Sequence, residues 1–291
     1  MRNTVPIEVS GASAHPPMVE FGRSAEDFPV ARVGDTAFAM LPAGDGRHFL
    51  ATGWRLTRPL EDWTRRDFFG HCGLVVDETA FRALVNDNAE HQREVAALGR
   101  REVIVQVNTP WGPSQGATVY AEGVLFHSTA SHGGFHLTPR RNCCIHPALH
   151  RPKGFYEEDA EWAAVAQGFP DLFTTRERRQ ADETIRNHWP EAWERIHGRK
   201  LEPGESRERD RQIFECTHAE DWIVIAAIRS DYRLGFTEVV ATRGGKRDER
   251  VGERRFLVSA EEYQPGPFGF VIDEARHPLY DGPSSFVGYR G

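Results

Sequence analysis

A chain of 291 residues with 39% hydrophobic and 27% charged side chains is long enough to bury a full core, as one large domain or as two to three smaller ones. No apolar run approaches the roughly 18 to 20 residues that span a bilayer, and the N-terminal stretch lacks the apolar segment of a secretory signal, so a cytoplasmic protein without membrane contact is expected. A net charge of −7 disfavours a surface that grips a nucleic-acid backbone, which leaves a small molecule or another protein as the expected partner.

Residues 1–23 read as a flexible leader, with Met1 to Pro17 rich in Gly, Ala, Ser and Pro and free of periodicity. The segment 24–106 reads as a strand-rich lobe with one long helix. Ala37 to Leu41 and His48 to Ala51 flank Ala43-Gly44-Asp45-Gly46, the pattern of a hairpin. Asp77-Glu78-Thr79 supplies N-terminal caps for a helix whose apolar positions Phe81, Leu84, Val85, Val95 and Leu98 run up to Gly99. Residues 102–107 form a short strand by the same criteria.

The segment 107–204 carries the motifs and a helical block. Asn108 to Gly116 is a loop dense in Pro and Gly, and Ala117 to Thr129 reads as two strands bent at Glu122-Gly123. Helices are then expected over 157–167, 176–187 and 190–197, with Thr174 and Glu177 as a capping box and Pro190 in a first turn. Leu201 to Arg211 reads as a charged linker. In the last segment, 205–291, Trp222 to Ile228 is an apolar run suited to a strand covered on both faces, and Phe236 to Thr242, Arg255 to Val258 and Phe268 to Ile272 complete a small sheet. Strands and helices come in blocks, so the expected class is α+β, mainly antiparallel strands with a central helical block.

Thr129-Ala130-Ser131-His132-Gly133-Gly134 joins hydroxyls, an imidazole and two glycines in consecutive positions. Glycine admits positive φ or a close neighbour, and histidine titrates near neutrality. If Ala117 to Thr129 is a hairpin, its outer ends meet, and Trp111-Gly112-Pro113-Ser114-Gln115 faces this turn. Trp111 then stacks on a planar ligand, Ser114 and Gln115 supply polar contacts, and the amides of Gly133 and Gly134 hold an anion or oxyanion. His132, with Ser131 or Thr129, is the candidate catalytic set, although adjacency in sequence does not set a hydrogen bond. The His-Gly-Gly run also occurs in the oxyanion loop of some esterases, but the chain has no Gly-x-Ser-x-Gly elbow. The alternative is a rigid structural turn.

Cys143, Cys144, His146 and His150 offer the donor types that zinc prefers, with Pro147 starting a turn that aligns the two histidines. No Cys-x-x-Cys knuckle accompanies them, and no metal or other cofactor is expected. The other cysteines, Cys72 and Cys216, are isolated, consistent with reduced thiols. Arg176, Arg178, Arg179 and Arg186 are interleaved with Glu177, Asp182 and Glu183, the pattern of a solvated helix face.

The run Thr109-Pro110-Trp111-Gly112-Pro113-Ser114-Gln115, then Gly123 through Phe135, then Tyr156-Glu157-Glu158-Asp159-Ala160-Glu161-Trp162, resembles an uncharacterised bacterial protein family. That family is a domain of unknown function often carried by plasmids and other mobile elements. The resemblance implies an accessory role in plasmid maintenance, transfer or counter-defence, and no chemistry. Two readings follow: a mobile-element accessory protein with a ligand-binding or hydrolytic pocket at the two motif loops, or a non-enzymatic interaction protein whose motif loops are structural.

Overall fold

The protein is described by a computed structural model covering residues 18–44, 46–248 and 252–286. The leader expected over Met1 to Pro17, and Asp45 of the first hairpin, lie outside these residues. The chain forms two compact units, Met1–His188 with Arg195–His197, and Trp189–Glu194 with Gly198–Gly291. Among the described residues, no helix is long and apolar enough to cross a membrane.

The first unit opens with an antiparallel meander of β1 (Val19–Arg23), β2 (Pro29–Val33), β3 (Thr36–Pro42), β4 (His48–Trp54) and β5 (Leu74–Val75), paired in that order. Residues 19–23, expected within the leader, are therefore a strand. The apolar run of β3 is buried on both faces because each face has its own cover. Ala37, Ala39 and Leu41 pack with Leu60, Trp63 and Phe68 of the chain after β4. Phe38 and Met40 pack on the other side with Phe81, Val85 and Ala89 of α1 (Glu78–Leu98). The capping signals act as the residue types dictate: Asp77 accepts a hydrogen bond from the Ala80 N–H at 2.7 Å, and Gly99 takes φ 61° just past the last turn.

The motif sheet follows in the same unit. Its strands are β6 (Arg101–Val103), β9 (Gly116–Ala121), β10 (Val124–Ser128), β11 (Gly133–Leu137) and β12 (Phe155–Glu157), in spatial order β12-β11-β10-β9-β6. β7 (Asn108–Thr109) and β8 (Gly112–Pro113) pair with each other as a separate two-stranded finger. The β9–β10 turn falls at Gly123, φ 78°, as its sequence requires. Residues 104–107 do not continue the expected strand. After α2 (Pro139–Asn142), β12 occupies the start of the helix expected over 157–167, and α3 (Trp162–Gly168) begins later. The acidic run 157–161 imitates a helix N-terminus, but Tyr156 is fully buried as a strand residue between its neighbours.

One face of this sheet carries Tyr120 and Phe135, which pack edge to face at 4.9 Å and meet Phe173. The helix α4 (Thr175–His188) is capped by the reciprocal Thr174–Glu177 box. The same Glu177 takes both guanidinium nitrogens of Arg100 at 2.8 and 2.6 Å, while that guanidinium lies 4.0 Å over the Tyr120 ring. Arg176 and Arg179 do not form only a solvated face, since both pair with Asp87 of α1. The helix α5 (Pro190–His197) starts at its proline as expected.

In the second unit, α6 (Arg207–Thr217) replaces the second half of the expected linker, with Ser206 accepting from the Arg209 N–H at 3.2 Å. Strands β13 (Trp222–Arg229), β14 (Phe236–Arg243) and β15 (Glu253–Ser259) form an antiparallel sheet in that order. The strand buried on both faces is β14, whereas β13 is an edge strand buried only at Trp222 and Ile223. Residues 268–272 do not form a full strand and attach to β13 through the Val224 N–H to Phe270 O and Ile272 N–H to Trp222 O bonds. Val239, Ala241, Phe256, Val258 and Ile272 form the core around Trp222. Beside that core, Glu238 of β14 is fully buried. Its carboxylate accepts from Arg255 at 2.9 Å, from the Ser284 hydroxyl at 2.7 Å and from the Ser285 N–H at 2.8 Å. Burial raises its pKa, yet these donors outweigh it and hold the carboxyl below the ordinary range.

Candidate functional site

The two motif loops meet in space. The Gln115 N–H donates to Ser128 O at 2.8 Å, closing the hairpin base, and the Thr129 hydroxyl lies 3.4 Å from Trp111 O. Thr129 to His132 is the turn between β10 and β11. Its geometry is set by Thr129, whose N–H and hydroxyl both donate to His132 O, at 2.9 and 2.6 Å, and whose hydroxyl accepts from the His132 N–H at 3.2 Å. That hydroxyl is fully engaged in the turn. Ser131 and His132 are exposed at its tip.

Gly133 and Gly134 are not turn residues and neither takes positive φ; they begin β11, flanked by β10 and β12. Their requirement is space. A Cβ on Gly134 would sit 2.3 Å from Trp111 Cη2 and 2.5 Å from Tyr156 O, and one on Gly133 would sit 2.6 Å from Glu158 Oε2. Trp111 therefore lies on the backbone of β11, with its ring edge to face against Phe155 at 5.9 Å. Gln115 is exposed and lines a shallow groove of about 210 Å³ with Glu102, Ile104 and Ser128.

Ser114 is buried against His127, a residue of the second motif run. The Ser114 hydroxyl donates to Gly116 O at 2.9 Å and lies 3.1 Å from His127 Nδ1. With its one proton given to the carbonyl, the hydroxyl accepts from Nδ1–H, leaving His127 Nε2 as the acceptor nitrogen. This polarity is opposite to that of a serine activated by its histidine. His127 lies 6.1 Å from His136, centroid to centroid, and His136 stacks on Phe155 at 4.4 Å. Burial, and then the neighbouring His136, push the His127 pKa down, and burial does the same to His136.

These shifts give a testable pH dependence. As pH falls, the unfolded chain takes up protons at both rings near its ordinary value of about 6.5, before the folded chain does, so stability is complete above that value and declines below it. His91, whose pKa burial also lowers, adds to the trend. The melting temperature is expected to fall between about pH 7 and pH 5, and His136→Phe, which keeps the stack without the titration, to flatten that slope. An unchanged slope in this variant would remove His136 from the account.

At the rim of the turn, His132 faces two carboxylates. His132 Nδ1 lies 4.0 Å from Glu157 Oε1 and 3.9 Å from Glu158 Oε1, with the imidazole side chain 54% exposed. Glu157 reaches this place as the cross-strand partner of Gly134, and Glu158 through its N–H to Gly133 O bond of 3.1 Å. Sequence reasoning assigned both glutamates to a helix; their signal was the third motif segment, which begins at Tyr156.

Cys143, Cys144, His146 and His150 do not come together. Both cysteines are exposed, His146 Nδ1 accepts from the Ala148 N–H, and His150 Nε2 pairs with Asn142 Nδ2 at 2.9 Å, in a network closed by the Tyr156 hydroxyl. All the elements of the motif sheet except β6 lie between β7 and α4.

Residues 104–219 match the family model of a domain of unknown function, DUF7007. The matched segment contains both motif loops, the His132 cluster and the helices from α2 through α6. No curated protein and no solved structure matches the chain.

Proposed function

We propose that the face built by Trp111 to Gln115 and Thr129 to Gly134 is a ligand-binding site of hydrolytic type, in a cytoplasmic bacterial accessory protein of plasmids and other mobile elements. The single observation that carries the site is the exposed His132 imidazole set between Glu157 and Glu158. Exposed Ser131 lies next to it, so a hydroxyl, an imidazole and two carboxylates gather at one rim, the side-chain types that hydrolytic sites use. Trp111, Ser114, Thr129, Gly133 and Gly134 act as positioning residues, because their side chains or free volume are used in holding the turn. The mobile-element setting rests on the family resemblance alone.

The test is turnover of activated esters and phosphodiesters by the full chain, with native mass spectrometry for a copurifying small molecule. Turnover or bound ligand is expected in the wild type and at least a tenfold loss in His132→Ala, with an unchanged melting temperature since His132 is exposed. No turnover and no ligand in the wild type would sink this reading. The alternative, a non-enzymatic interaction or counter-defence protein, is favoured by a different observation: Phe69, Leu74 and Val76 are exposed around the β5 edge of the first sheet.

A further inference from the structure

Resting on that reading of the motif face, we infer that His132, Glu157 and Glu158 bind one divalent first-row cation, of which Mn²⁺ and Zn²⁺ fit the donors. The donor atoms of the three residues lie within 4.8 Å of one another. One imidazole nitrogen and two carboxylate oxygens suit such ions and leave positions open for water or a substrate oxygen.

Charge supports the same conclusion. Two carboxylates converge on one imidazole, and among the described residues neither Glu157 nor Glu158 forms an ion pair with Lys or Arg. Arginine answers three other acidic groups of this unit: Asp87 by Arg176 and Arg179, Glu177 by Arg100, and Glu161 by Arg151. Two adjacent anions without such an answer repel one another, and a dication removes that repulsion.

The backbone also prepares the donors. Glu157 Oε2 accepts from the Asp159 N–H at 2.8 Å, which turns Oε1 toward His132. Glu158 folds over Gly133, where any Cβ would meet its Oε2 at 2.6 Å. Thr129 holds the His132 main chain through both its N and O atoms. At ion–donor distances near 2.1 Å, a tetrahedral pair of donors stands about 3.4 Å apart. Contraction from 3.9–4.0 Å asks for a small rotation of side chains that are partly exposed.

The experiment is titration of metal-free full-length protein with Mn²⁺, followed by electron paramagnetic resonance, and with Zn²⁺, followed by calorimetry. One saturable site is expected. His132→Ala and Glu158→Gln should each weaken it at least tenfold, with circular dichroism and melting unchanged, while Cys143→Ser with Cys144→Ser should leave it intact. Absence of saturable binding by both ions, undiminished binding in both His132→Ala and Glu158→Gln, or loss in the cysteine variant would overturn the inference. The two readings fail separately. Turnover that survives chelation but disappears in His132→Ala rejects the cation and keeps the catalytic face, whereas cation binding without turnover or ligand keeps the cation and rejects the hydrolytic reading.

Discussion

Gly134→Ala is expected to destabilise the first unit by about 3 kcal/mol or more, a melting decrease on the order of 10 °C for a unit of this size. The new methyl meets two kinds of obstacle. The Trp111 ring, at 2.3 Å, is a side chain that can move away, but Tyr156 O, at 2.5 Å, belongs to the adjacent strand and cannot move without parting β11 from β12. Trp111→Ala in the same chain should therefore restore part of the loss and no more, giving a coupling energy measurable by a double-mutant cycle. A full rescue would place the whole conflict at the indole. A silent Gly134→Ala would mean that neither Trp111 nor the Tyr156 carbonyl lies against Gly134 in solution.

Glu238→Ala is expected to cost the second unit about 3 to 5 kcal/mol, because it leaves the Arg255 guanidinium buried without its carboxylate and strips the Ser284 hydroxyl and Ser285 N–H of their acceptor. Arg255 also donates to Gly282 O at 2.9 Å, so the loss reaches the chain around Tyr280 to Ser285. Denaturation of the full chain measures the size of the effect, and hydrogen exchange locates it: protection should vanish first at the Ser285 amide. Retained protection there would show that the terminal segment is held by its Tyr280 packing and not by the carboxylate.

Local chemistry was readable where a residue type has one structural use. Asp77 and Thr174 with Glu177 mark a boundary by side-chain hydrogen bonds, Gly99 and Gly123 by positive φ and Pro190 by its missing N–H, and each falls where the sequence predicts. Non-local cover was not readable. Ala226 to Ile228 looks as apolar as β3, but no spacing tells which strand of a sheet will be central, and the burial goes to β14. The meeting of the two motif loops followed from the hairpin period of two residues. The partners of those loops did not: Glu157 and Glu158 are brought to His132 by the pairing of β12 with β11, some 25 residues of intervening chain away, and the acidic run that contains them mimics a helix start. Likewise, two glycines in a row allowed either positive φ or a close neighbour, and the structure takes the second: a tryptophan ring and a carboxylate are pressed against a flat strand.

The outer edge of β13 has a consequence for solubility. Trp222 to Ile228 is the kind of short, uncharged, β-prone window that seeds intermolecular ladders when left open. In the folded unit that template is interrupted along its length. Residues 270–272 take the Trp222 and Val224 backbone groups, the register slips between Val224 and Ala226, and the Arg247 guanidinium occupies the Ile225 carbonyl at 2.6 Å. A foreign strand thus finds a kinked, partly occupied rim tipped with a cation. The window is dangerous only while Phe270 and Arg247 have yet to arrive, so self-association through β13 is a hazard of the newly made chain and not of the folded unit.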